Sequence, residues 1–139
     1  MNLKDIIKPK FKGEVKIWTE DRYGNITILY EDHNTIVANA ENVIRRCISG
    51  DAYPIDNIAA YKAAVLLATK EVTTDDRTLI STDAFEFTTI FTFDDFDDTL
   101  DELRLVSSLA GNFSEVTGLS IEKTSLEQLG VTWKITIAI

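Results

Sequence analysis

The sequence predicts a mainly β fold: an antiparallel β-sandwich with one amphipathic α-helix over about residues 35–49. Three observations carry this. The closing segment alternates strictly, Val131, Trp133, Ile135, Ile137 and Ile139 against Thr132, Lys134 and Thr136. Alternation of this length marks a strand with one buried face. A second row, Phe85, Phe87, Thr89, Phe91 and Phe93, opposes Glu86, Thr88 and Thr92. Finally, one early stretch repeats its apolar residues at helical period, which matches a sheet-rich fold carrying a single covering helix.

The elements follow in order. Val15, Ile17 and Thr19 alternate with Lys16 and Trp18, and Ile26, Ile28 and Tyr30 form a second row. Asp21-Arg22-Tyr23-Gly24-Asn25 lies between them. Gly24-Asn25 tolerates positive φ, so the unit reads as a β-hairpin. Next, Ile36, Val37, Ala40, Val43, Ile44, Cys47 and Ile48 form one helical stripe. Asn34 or Thr35 supplies the N-cap, Arg45 and Arg46 suit the C-terminal dipole, and Gly50 ends the helix. Cys47 belongs to the stripe and is expected in the core. Residues 55–73 read two ways. Ala59, Ala60, Ala63, Ala64 and Ala68 favour helix by propensity, while Ile58–Ala60–Lys62 and Val65–Leu67–Thr69 also fit period two. Leu103, Leu105 and Ser107, then Leu119, Ile121 and Lys123, complete the strand rows.

The 139 residues suit one domain able to bury its own core. Residues 13–139 are read as that domain and residues 1–12 as a basic arm. The net charge of −9 argues against a nucleic-acid coat. It is also uneven. Residues 71–102 hold eleven acids and one base, whereas the start carries Lys4, Lys8, Lys10, Lys12 and Lys16 against Asp5 and Glu14. Leu3, Ile6 and Ile7 are too short a cluster for a signal peptide, and no run is long enough to span a membrane. The one cysteine, Cys47, excludes an internal disulfide.

Catalytic signals are sparse, and no enzyme is expected. His33 is the one histidine. Cys47 lies about 20 Å from it along a helix, too far for a nucleophile and its base. There is no phosphate-binding glycine loop, no Gly-x-Ser-x-Gly elbow and no zinc ligand set. Asp94, Asp95, Asp97 and Asp98 are hard oxygen ligands and the candidates for calcium. Their spacing fails the EF-hand pattern, with Leu100 where the glycine and Val106 where the bidentate glutamate belong. No cofactor and no small-molecule substrate are expected. Trp133 is expected in the core. Trp18 is a candidate partner-facing aromatic or, with Tyr23, a sugar platform.

The order of motifs carries a resemblance over roughly residues 12–139. It runs Gly13-Glu14-Val15-Lys16-Ile17, the hairpin, His33-Asn34-Thr35-Ile36-Val37, and Ile55-Asp56-Asn57-Ile58-Ala59. A Thr-rich aromatic strand follows, then Leu100 to Leu105, Ile121-Glu122-Lys123, and Val131-Thr132-Trp133-Lys134-Ile135-Thr136-Ile137. This resembles small virion structural proteins of tailed bacteriophages, found around tails, tail fibres and necks. The resemblance implies an assembly part without catalytic residues, contacting its own copies and other virion proteins. It also favours a strand at Ile58–Lys62. The interface candidates are Lys4, Lys8, Lys10, Lys12 and Trp18 on one side and Asp94, Asp95, Asp97, Asp98, Asp101 and Glu102 on the other. A capsid decoration or head-fibre protein and a carbohydrate-binding module are the alternatives.

Overall fold

The computed structural model describes residues 10–51 and 54–138. Alternating rows in Lys10–Asp21 (β1) and Ile26–His33 (β2) pair antiparallel as a hairpin. Its turn is built by Asp21, whose carboxylate accepts the backbone N–H groups of Tyr23 and Asn25, each at 2.9 Å. Gly24 sits there at φ 81°. The long strand Glu127–Ala138 (β12) runs antiparallel to β1, with Val15 opposite Trp133 and Ile17 opposite Val131. Ala84–Phe91 (β7) pairs with the far side of β12, and Arg77–Leu79 (β6) completes a sheet of order β2-β1-β12-β7-β6.

The second sheet contains Thr35–Ile36 (β3), Asn57–Lys62 (β4), Val65–Glu71 (β5), Glu102–Ser107 (β9) and Gly111–Val116 (β10). Its order is β3-β10-β9-β4-β5. A short ladder joins Asp98–Leu100 (β8) to Ile121–Lys123 (β11). The two five-stranded sheets are antiparallel throughout and face each other as a sandwich. Val15, Ile17, Phe91, Val131, Trp133 and Ile135 from the first sheet meet Ile58, Leu103, Leu105 and Phe113 from the second. Trp133, Phe91, Leu103 and Leu105 are fully buried. Burying side chains of this size contributes roughly 1.5–3 kcal/mol each.

The helix is shorter than the periodicity implies. It spans Ala40–Ile48 (α1). Ile36 belongs to β3, and the Val37 N–H donates to the Phe113 carbonyl at 3.2 Å. Apolar residues at these positions fit a strand as well as a helix, and the free edge of β10 takes them. Neither Asn34 nor Thr35 is a cap. Asn39 holds the cap position but spends its amide on the carbonyls of Ala110 and Asn112. Ala40 and Val43 are buried, whereas Cys47 and Ile48 are exposed. The expected burial of Cys47 is therefore corrected, because only the first turns of α1, through Ala40 and Val43, are buried in the core. Gly50, at φ 92°, follows the helix as expected.

Residues 57–71 form a hairpin, which resolves the open segment in favour of strands through its length. Its turn is Ala63-Ala64, with φ of 48° and 63°. Two-residue hairpins of this hand favour Asn-Gly, since a Cβ at positive φ costs roughly 1–2 kcal/mol. Asp101 holds the turn by accepting the Ala63 N–H at 2.8 Å. Replacing Ala63 and Ala64 together by Asn and Gly should stabilise the fold by about 1 kcal/mol, a rise of a few degrees in Tm.

The arm boundary also moves. Lys10, Phe11 and Lys12 pair with Ala138, Ile137 and Thr136, so residues 10–12, read as part of the arm, belong to the sheet.

Candidate functional site

Two charged regions stand out, and they differ in how their charges are used. The first is the acidic belt after β7. Lys123, wholly buried at 0% exposure, points its ammonium into it. Nζ donates to the carbonyl oxygens of Phe96 at 2.8 Å, Phe93 at 3.2 Å and Thr124 at 3.2 Å. It also lies 5.2 Å from the Phe96 ring centroid. Carbonyl oxygens among carboxylates are what a hard cation takes, and here a lysine of the chain itself holds that place. Burial pushes the Lys123 ammonium below its usual pKa, against the pull of Asp95, Asp97, Glu127 and Asp94.

The belt carboxylates disperse around this centre. Asp95 accepts from Lys70 Nζ at 2.9 Å and from the Thr92 N–H at 2.6 Å. Asp98, which lies in β8, pairs with Lys62 at 2.7 Å. Glu102 pairs with Arg104 at 2.9 Å, and Asp101 holds the Ala63 turn. Asp94 and Asp97 are exposed. The calcium candidates Asp94, Asp95, Asp97 and Asp98 are thus not brought to one point. Among the described residues no cluster of three or more such groups suits a metal.

Burial works against the Asp95 carboxylate, but hydrogen bonds from Lys70 and the Thr92 N–H outweigh it, so its pKa is lowered. A depressed carboxyl adds stability above its unfolded value, about 3.8, and loses it as the pH falls through the lower folded value. Asp95→Asn should therefore flatten the acid limb of a urea-stability profile below that pH.

The second region is the outer face of the first sheet. Register places its outward side chains in rows from β2 to β7. One row reads His33, Glu14, Lys134, Glu86, and the next Glu31, Lys16, Thr132, Thr88. A third reads Ile28, Trp18, Gly130, Ile90. A shallow cavity of about 370 Å³ runs over the two charged rows. Trp18 lies across Gly130, where a Cβ would come within 2.1 Å of the indole. The apolar row is uncovered, with Ile28 54% and Ile90 39% exposed, and Ile26 beside it 61%. The side chains of His33, Glu14, Lys134, Glu86, Glu31 and Lys16 make no hydrogen bond or ion pair with any described residue.

The remaining candidates are spread out. Lys4 and Lys8 lie outside the described residues, and Lys12 is exposed on β1. His33 faces outward on β2, whereas Cys47 lines an apolar hollow of about 200 Å³ beside α1 with Phe85, Phe113 and Ile137. Sequence reasoning named Trp18 but passed over its neighbours Ile28, Ile90 and Gly130. Each strand showed its outward residues; which strands lie side by side did not show. Lys123 was seen only as one member of an alternating row.

Fold and surface together define an antiparallel β-sandwich with a paired acidic end and an unpaired charged face. Comparison with family models, curated proteins and solved structures returned no match in any of the three. Among the described residues no helix is long and apolar enough to cross a membrane.

Proposed function

We propose that the chain is a non-enzymatic, homo-oligomerising structural component of a bacteriophage virion, working around the tail, tail-fibre attachment or neck. The observation that carries the assembly reading is the outer face of the first sheet. It combines an uncovered apolar row around Trp18 with alternating charges that find no partner among the described residues. An apolar centre with an aromatic and a polar rim is the usual anatomy of a protein interface. The ordered motifs from Gly13 to Ile137 support the placement in a virion. Capsid decoration and head-fibre attachment are the same kind of part at another site on the particle. The test is mass spectrometry of purified virions together with sedimentation of the isolated protein. Presence in particles and a multimer in solution are expected; a monomer absent from virions would reject the reading.

A second reading is host-glycan binding, favoured by Trp18 standing next to a polar groove. Glycan-array binding that disappears in Trp18→Ala would establish it.

A further inference from the structure

The outer face of the first sheet is self-complementary. The charged row reads His33, Glu14, Lys134, Glu86 across β2, β1, β12 and β7. A two-fold axis parallel to the strands, between β1 and β12, reverses that order on a facing copy. Glu14 then opposes the partner's Lys134, and His33 opposes the partner's Glu86. In the next row Glu31 meets the partner's Thr88, and Lys16 meets the partner's Thr132. In the apolar row Ile28 meets the partner's Ile90, and the two indoles lie side by side over the paired glycines. No acid faces an acid, and no base faces a base.

We propose that this face is an isologous dimer interface with a second copy of the chain, the two sheets stacked face to face. The proposal rests on the assembly reading above and names its surface. Three points carry it. First, the charges that alternate here are unpaired among the described residues, in contrast to Asp95, Asp98 and Glu102 of the belt, which pair with Lys70, Lys62 and Arg104. Second, the size is at the low end of the range for a specific interface. Four strands about 4.8 Å apart and some seven residues of about 3.4 Å give roughly 400 Å² in projection, more with side-chain relief. Specific interfaces begin near about 600 Å² of accessible area per partner. Third, the sheet edges are poor alternatives. β3 and β6 have two and three residues. The long edges β2 and β5 are each bulged, at Leu29 and Leu67, a device that blunts edge-to-edge pairing.

The test is a charge exchange in the full chain, read by sedimentation velocity over a wide concentration range. Glu14→Lys and Lys134→Glu each set like charges against the facing copy, and each should weaken self-association at least about tenfold. Both also set like charges side by side within one chain, so loss alone proves nothing. Mixing the two variants decides it. The lysine introduced at 14 then faces the glutamate introduced at 134, and a one-to-one heterodimer should form. Thr88→Glu, opposite the partner's Glu31, is an independent variant expected to weaken association more than Thr88→Val, which gives up the same Thr132 hydroxyl contact without adding a charge. A wild-type multimer whose variants associate normally, or whose mixture recovers nothing, would overturn this face and leave assembly to another surface. A wild-type chain that stays monomeric throughout would overturn the dimer itself, and virion mass spectrometry would then judge the assembly reading separately.

Discussion

Lys123→Met should lower the unfolding free energy by about 3 kcal/mol and Tm by about 10 °C. The ammonium is fully buried and donates to three carbonyl oxygens, of Phe93, Phe96 and Thr124. A thioether donates nothing, so those oxygens lose their donor inside the fold. Removing it also withdraws the positive charge that faces Asp94, Asp95, Asp97 and Glu127. The damage is not confined to electrostatics. Phe96 packs edge-on against Phe91 at 5.5 Å, and its own carbonyl is one of the three acceptors. Loosening the loop therefore opens the end of the core. Lys123→Gln, which keeps a donor, should lose less. Equilibrium urea unfolding measures both; a loss under about 1 kcal/mol would mean that water replaces the ammonium without cost.

The same residue makes a signed pH prediction. Burial holds its folded pKa below 10.5, so the unfolded chain binds this proton more tightly. Between the folded value and 10.5, stability from this group rises with pH. The wild-type advantage over Lys123→Met should accordingly grow along the alkaline limb. An advantage that shrinks there would mean the ammonium is better held folded than unfolded.

Asn34→Leu should cost about 2 kcal/mol and alter the emission of Trp133. Asn34 sits where the chain leaves β2 in one sheet for β3 in the other. With its carboxamide assigned from the surrounding donors and acceptors, the nitrogen donates to the Gly13 carbonyl at 2.7 Å. The oxygen accepts from Trp133 Nε1 at 2.6 Å and from the Ser114 hydroxyl. Ser114 also accepts from Trp133 Nε1 at 3.1 Å. One side chain thus satisfies buried polar groups of β1, β10 and β12. Gly13 is part of the arrangement, since a Cβ there would lie 1.7 Å from the Asn34 carboxamide. Gly13→Ala must displace Asn34, so it should cost a similar amount. In an Asn34→Ala background, where the truncated side chain leaves room for the added methyl, Gly13→Ala should cost little further, because both break the same contacts. Fluorescence in a Trp18→Phe background isolates Trp133, and additive losses would reject the coupling.

Much of the strand content was legible because alternation is a local property. The rows through Val15, Phe87, Leu103 and Trp133 are buried as their period implied. Helix limits were less legible. Ile36 and Val37 are apolar in either conformation, and it is β10, some seventy-five residues later, that makes Ile36 a strand. The β4–β5 turn carried no glycine or asparagine. Ala63 and Ala64 take positive φ because the flanking strands pair and Asp101 binds the turn.

The charge pattern divides the same way. By itself the sequence determined a mainly β chain with one helix, a core of alternating apolar rows and an acidic stretch after Phe93. Each of these depends on residues near one another along the chain. The tertiary structure alone decided that Lys123 enters that acidic stretch, that Asn34 ties the two sheets together, and that Glu14 stands between His33 and Lys134. Strand order sets those neighbours, and strand order is the outcome of packing two sheets against each other, with partners more than a hundred residues apart. An alternating row states which side chains face outward; only the register across strands states which charges meet.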